Sequence, residues 1–244
     1  MSPATIGTNF SDQWWNADES GWGISVHQQA DVLFVDLFVY GADGSPTWYT
    51  AAATAQKDPT TNHAIFTGDL FRSTGPVFAG AFDPNLVAYR KVGTLTFDAA
   101  STENASLSYS VDGSLVAKAV TRQPWKLEDF SGTYQGAFVY EVEPLHGTCI
   151  GGHAEDAGPI TIVHSQDRTF NGTAQFRGTR CTFTAQYAQS GHMGSAQGTF
   201  TCADLGHGPF GSFEMERTAS GMTGRFTAET TFCGYSGRFG GVLR

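Results

Sequence analysis

The chain has 244 residues, 40% of them hydrophobic and 13% aromatic, which is material for one large or two ordinary β domains and too much for a disordered chain. With 30 Gly, 15% charged residues and a net charge of −9, it favours short strands and tight turns over helices. It also excludes a nucleic-acid binder, whose phosphate contacts need clustered cations: the only Lys residues are 57, 91, 118 and 126.

No apolar run reaches the roughly 18 residues of a membrane-spanning helix. The opening Met1-Ser-Pro-Ala4 lacks the charged and apolar regions of a signal peptide, so an exported chain is expected to have lost its leader.

The first informative stretch is Trp14-Trp15-Asn-Ala-Asp-Glu19-Ser-Gly-Trp22-Gly23. Indole rings interleaved with amides and carboxylates suit a sugar or another flat ligand, the rings stacking while Glu19 takes hydroxyls. The alternative is that these rings plug a barrel end and the polar residues form a turn.

Alternating runs follow, and short turns between them set their register. Pairing about Ala30-Asp31 places Trp22, Ile24 and Val26 opposite Val39, Leu37 and Val35 on one face. The other face then pairs Gly23 with Phe38, Ser25 with Asp36 and His27 with Phe34. A four-residue turn at 41–44 would bring Tyr49 beside Asp36 and Thr47 beside Phe38. An acid among Phe34, Phe38 and Tyr49 is costly unless it is hydrogen-bonded or lines a wet pocket. Asp36 is therefore either a functional acid or a structurally satisfied one. The turn Asp112-Gly113 links the last hairpin of this half.

The break between halves is expected near Gln123-Pro-Trp-Lys-Leu-Glu-Asp129, since all five Trp precede residue 126 and all four Cys follow it. In the second half, phrases of Gly-Thr or Gly-Arg followed by an aromatic recur at Gly132, Gly172, Gly198, Gly224 and Gly237, each reading as a strand after a glycine turn. Cys181 and Cys202 flank the turn Ser190–Gly194 symmetrically, so they are expected to bond across a hairpin. Cys149 and Cys233 are left to join the first and last strands. Such bonds persist in oxidising compartments, so a secreted or periplasmic protein is expected. No C-x-x-C pair, nucleotide loop, H-E-x-x-H or G-x-S-x-G elbow is present, and the seven His are scattered, so neither metal nor cofactor is expected.

The fold class is therefore all-β, with two tandem antiparallel β-barrel or β-sandwich domains of calycin-like meander type at 1–125 and 126–244. The phrases Trp14-Trp15-Asn-x-x-Glu19-Ser-Gly-Trp-Gly23, Gln28-Gln29 and Asp43-Gly44-x-Pro46-x-Trp48 resemble a module of uncharacterised exported proteins of Gram-negative bacteria. The phrases Gly93-Thr-Leu-Thr-Phe97, Leu107-Ser-Tyr-Ser-Val-Asp-Gly113 and Lys118-Ala-Val-Thr-Arg-Gln123 are similar to the close of that module. His27 departs from the uncharged residue expected there. The second half is similar to the cysteine-bearing domain that accompanies the module, and the resemblance carries no activity across.

The leading expectation is an extracytoplasmic protein binding a small molecule or carbohydrate through Trp14, Trp15, Trp22, Trp48, Tyr49, Ser25, Phe34 and Phe38. A second is a barrel-cavity isomerase, cyclase or hydrolase using Asp36 or Glu19 as acid or base with His27. A third is a structural or assembly protein of the cell exterior that self-associates through the two-faced apolar sheet.

Overall fold

The computed structural model describes residues 7–57 and 63–244, and the chain divides into two compact units between Gln123 and Pro124. Each unit is a closed, eight-stranded, antiparallel up-and-down barrel. The first is built from β1 (Asp12–Trp15), β2 (Gly23–Gln29), β3 (Val32–Tyr40), β4 (Pro46–Lys57), β5 (Ala64–Thr74), β6 (Ala88–Ala99), β7 (Asn104–Val111) and β8 (Ser114–Arg122). The second runs β9 (Gly132–Pro144), β10 (Gly152–His164), β11 (Thr169–Phe176), β12 (Thr179–Ser190), β13 (Met193–Cys202), β14 (Gly206–Arg217), β15 (Gly221–Glu229) and β16 (Cys233–Leu243). Closure removes the unpaired edges that an open meander would expose.

The first barrel is filled by its own side chains. Inward positions carry Trp14, Ile24, Leu33, Leu37, Phe66, Leu70, Leu95, Phe97 and Leu107, all fully buried. Branched aliphatics interlock with a few rings, as the narrow interior of an eight-stranded barrel requires. The seam is short, with only Trp14↔Arg122 and Trp15↔Thr121 pairing β1 to β8. A buried guanidinium reinforces it. Arg122 donates to the carbonyl oxygens of Asn9 (2.6 Å), Thr102 (2.5 Å) and Ser11 (3.3 Å), pairs with Asp12, and lies 4.7 Å over the Trp14 ring.

Both barrels close one end by the same local device. A buried Phe just before the first strand turns its carbonyl back to an aromatic four residues on. Trp14 Nε1 donates to Phe10 O at 3.0 Å, and the Tyr134 hydroxyl donates to Phe130 O at 2.8 Å. In the second barrel the incoming segment is also held by Glu128 N donating to Gln189 Oε1 (2.8 Å) and Gln189 Nε2 donating to Lys126 O (2.6 Å). Its seam is long, pairing β16 with β9 continuously from Cys233↔Pro144 to Leu243↔Tyr134.

Two disulfides lie in the second barrel, Cys149–Cys233 and Cys181–Cys202, and Cys181 and Cys202 are direct register partners across the β12–β13 hairpin.

Candidate functional site

The sequence placed the site on the β2–β3–β4 face of the first barrel, and half of that constellation is assembled. Ser25 pairs with Asp36, His27 with Phe34 and Gly23 with Phe38, on the outer surface, where Phe34 and Phe38 are about half exposed. The neighbouring hairpin differs from expectation by one residue. The β3–β4 loop spans five residues, with Gly41 N donating to Ser45 O (2.8 Å) and Asp43 Oδ1 accepting from the Ser45 hydroxyl (2.7 Å). Leu37 therefore pairs with Tyr49, Phe38 with Trp48 and Val39 with Thr47.

A one-residue slip moves every side chain to the opposite face. Tyr49 points into the core and is 8% exposed, so the expected Asp36–Tyr49 pair does not form. Asp36 and His27 sit on the outside of a packed barrel, and the acid–base reading loses the pocket it needed.

The Trp-rich stretch is structural at its centre. Trp14 is fully buried, which removes it from any ligand site. Trp22 is partly buried against the core, and its indole N–H donates to Glu19 at 3.0 Å. Lys118 reaches the same carboxylate at 2.8 Å and lies 5.9 Å over the Trp22 ring. The Lys118 hydrogen bond holds the Glu19 carboxyl below its usual range, so Glu19 is a fixed anion clasping the loop to β8 rather than a proton donor. Trp15 lies half-buried at the seam, and Trp48 is half exposed beside Phe38.

A concave space with an almost wholly apolar lining lies inside the second barrel. A cavity of about 120 Å³ is walled by Phe138, Phe176, Phe183, Phe200, Phe210, Phe226 and Phe239, with Ile160, Met215, Met222 and Tyr235 between them. Cys181 and Cys202 put their disulfide into the same wall. A water needs about 10–15 Å³ of such space together with polar partners, and Ser212 and Tyr235 carry the only side-chain hydroxyls in this lining.

Glycines explain why so many rings leave a hollow. Gly172 is the register partner of Phe183, and a Cβ there would lie 2.5 Å from that ring. Gly224 pairs with Phe239, with the ring 2.6 Å from such a Cβ. Each ring lies flat over its glycine, against the wall, instead of projecting to the axis. Phe138 meets Phe176 and Phe226 edge to face at 5.5 and 5.9 Å, so the rings brace one another around the circumference.

Strand direction orients the cavity. Phe130, Tyr134, Phe170 and Tyr187 pack solidly at the end where β9 begins. Phe176, Cys181, Cys202 and Ala228 lie toward the other end, near the 144–151 and 230–232 loops. There Leu145, Ile150 and Phe232 are exposed, and the Cys149–Cys233 bond and Leu145 N donating to Phe232 O (2.9 Å) tie the two loops together. Phe176, Phe183, Phe200, Phe210 and Phe239 point inward yet are only partly buried, so the cavity communicates with solvent.

Four of those walls, Phe176, Phe200, Phe226 and Phe239, belong to the recurring glycine–aromatic phrases, which were the one sequence signal for this site. Among the described residues no cluster of three or more His, Cys, Asp or Glu has metal-binding geometry, and no helix is long and apolar enough to cross a membrane.

No family model matches the chain, and no curated protein matches it. Among solved structures it is similar to isotype 1 transferrin binding protein B from serogroup B Neisseria meningitidis, at 12% identity and a TM-score of 0.35, over 96% of this chain and 69% of that one.

Proposed function

We propose that the protein is an extracytoplasmic binding protein whose second barrel takes up a small apolar molecule, such as an acyl chain end or an unsubstituted ring system. The observation that carries this reading is the open, phenylalanine-walled cavity of about 120 Å³. A bound apolar ligand gains about 25 cal/mol for each Å² of this apolar wall, and of its own surface, that it takes out of water. The wall offers almost no hydrogen-bonding partner, so the buried part of the ligand is hydrocarbon, and selectivity comes from its width and length. The two disulfides support an oxidising, extracytoplasmic location.

The test is titration of the full chain with an environment-sensitive naphthylamine dye, followed by displacement with fatty acids and terpenes and by native mass spectrometry. Dye fluorescence should rise for the native protein and fail to rise for Ala174→Leu/Ala228→Leu, which fills the cavity from two wall positions. A dye response equal in both proteins, or none in either, overturns the reading.

A second reading rests on the first barrel's outer face, where Phe34, Phe38 and Trp48 form an exposed aromatic strip 46–50% accessible, suited to stacking on a saccharide. Retention on insoluble polysaccharide that is lost in Trp48→Ala would support it, and equal passage of both proteins would end it.

A further inference from the structure

The first barrel carries an extension that neither its packing nor the cavity reading uses. Beyond the bulge at Leu70/Phe71, β5 and β6 continue as a two-stranded ribbon through Thr74↔Ala88, and residues 75–87 form its tip. Every residue from Val77 to Lys91 is exposed. Phe78 is 96% accessible, Tyr89 76%, Phe82 71% and Leu86 60%.

Scattered surface hydrophobics need no explanation, but a continuous projecting run of them does. Between Gly75 and Tyr89 the one charged side chain is Asp83, which is exposed and accepts from Asn85 N at 2.9 Å to cap a 3-10 turn at Pro84–Leu86. The tip is thus a shaped, largely apolar finger whose single charge is the Asp83 carboxylate at its turn. By strand direction, Leu115, 85% accessible at the start of β8, and Tyr40 and Trp48, at the end of β3 and near the start of β4, lie at the same end of the barrel.

The root of the finger has the opposite chemistry. Arg72 and Arg90 are direct register partners, and with Tyr89, Thr74 and Ala88 they border a surface recess of about 280 Å³. Like charges set directly across a ribbon repel unless an anion lies between or near them. Lys91 follows immediately. Arg72, Arg90 and Lys91 are half of the six cations in residues 1–125 and lie together at the root, where Lys91 pairs with Asp69 at 2.7 Å and the other two border the recess. Arg90 is held in position by a two-pronged pair with Asp112.

We infer that this finger inserts into an anionic lipid surface, with Phe78, Phe82 and Leu86 entering the acyl boundary and Arg72 and Arg90 meeting lipid phosphates at headgroup depth. Charge complementarity at the root and apolar side chains at the tip are the two halves of an interfacial anchor. Tyr40, Trp48 and Tyr89 supply the amphipathic rings favoured at headgroup level. A fluid bilayer also suits rings that project singly. A protein partner would have to supply a matching pocket for each.

The experiment is co-sedimentation of the full chain with vesicles of phosphatidylcholine alone and of phosphatidylcholine with phosphatidylglycerol at 7:3. The native protein should bind the anionic vesicles and lose binding as salt is raised. Phe78→Ser/Phe82→Ser should weaken binding about tenfold or more. Arg72→Ser should weaken it roughly fivefold and erase the preference for anionic vesicles. All three side chains are exposed, and unchanged thermal unfolding verifies that the variants are folded. Failure of the native protein to bind either vesicle, or binding by Phe78→Ser/Phe82→Ser equal to the native protein's, overturns the inference and leaves the finger to a protein partner. Loss of the dye response described above would not affect this result, because the cavity belongs to the other barrel.

Discussion

The two barrels share strand number, strand order and end plug, yet one is solid and the other hollow. Side-chain shape accounts for the difference. In the first, leucines and valines, with Ile24, project to the axis and interlock. In the second, phenylalanines lie over glycines such as Gly172 and Gly224 and line the wall. Eight strands fix only how wide the interior is, and the residues at inward positions decide whether that width is filled. The barrels also differ in closure. The first has a two-pair seam clamped by Arg122, and the second has a long seam with disulfides at its open end. Strain on the two should therefore be separable.

The largest separation is expected from the disulfides. Their sequence separations are 84 residues for Cys149–Cys233 and 21 for Cys181–Cys202. The chain-entropy model assigns about 4.5 and 3 kcal/mol to closing loops of those sizes. Replacing all four cysteines by Ala should unfold the second barrel at moderate urea while the first keeps its midpoint. In a Trp125→Phe background tryptophan emission reports on the first barrel alone, because the remaining four Trp lie before residue 49. A shift of the tryptophan transition by as much as the far-ultraviolet circular dichroism transition would mean that the barrels unfold as one unit.

The reciprocal experiment is Arg122→Ala. It leaves Asp12 and the carbonyls of Asn9, Ser11 and Thr102 without their buried donor, which should cost about 3–5 kcal/mol, all of it in the tryptophan transition. If the first barrel tolerates the change with less than about 1 kcal/mol, the guanidinium is not what holds the short seam.

A smaller effect tests solid against hollow directly, because the same substitution should change sign between barrels. Ala105→Leu adds methylenes to a filled interior and should destabilise by about 1–3 kcal/mol. Ala174→Leu enters the cavity and should stabilise by about 0.5–2 kcal/mol in urea titration. Loss of stability in both would show the second interior to be already full.

How far the sequence could be read follows from the same physics. The all-β class and two-barrel organisation were legible, because alternation and turn residues are local. The Ile24–Leu37 and Val26–Val35 pairs hold because a two-residue turn leaves no freedom, with Ala30 at φ 54°. Cys181 and Cys202 were placed by the same logic around Gly191, at φ 59°. The next hairpin failed because a five-residue loop reads much like a four-residue one, and that single residue moved Tyr49 inside and Trp48 outside. The cavity was not legible as a void, since emptiness is a sum over eight strands. Its glycine–aromatic phrases were visible only as strand starts. The finger at 75–89 escaped notice because an apolar run does not itself say whether it is covered.

The smallest expected effect contrasts the plugs. In the second barrel His164 packs 4.4 Å from Tyr187 and beside Phe130 and Phe170; its Nδ1 faces Phe130 N at 3.5 Å, and its buried Nε2 has no hydrogen-bond partner. Burial pushes its pKa below the usual imidazole value, against a weaker upward pull from the Asp129 carboxylate. Above the unfolded-state value of about 6.5 both states are neutral, and the group leaves stability unchanged with pH. As pH falls below that value the unfolded chain binds the proton first, so stability is lost until the folded pKa is passed, after which the loss levels off. His153 runs the other way, since the hydrogen bond that its ring N–H donates to the Glu141 carboxylate raises its pKa, but it is exposed on the outer surface and contributes little. The second barrel should therefore weaken between pH 7 and pH 5, and His164→Gln should flatten that slope. Parallel urea midpoints for both proteins across this range would place the pH response elsewhere than in the plug.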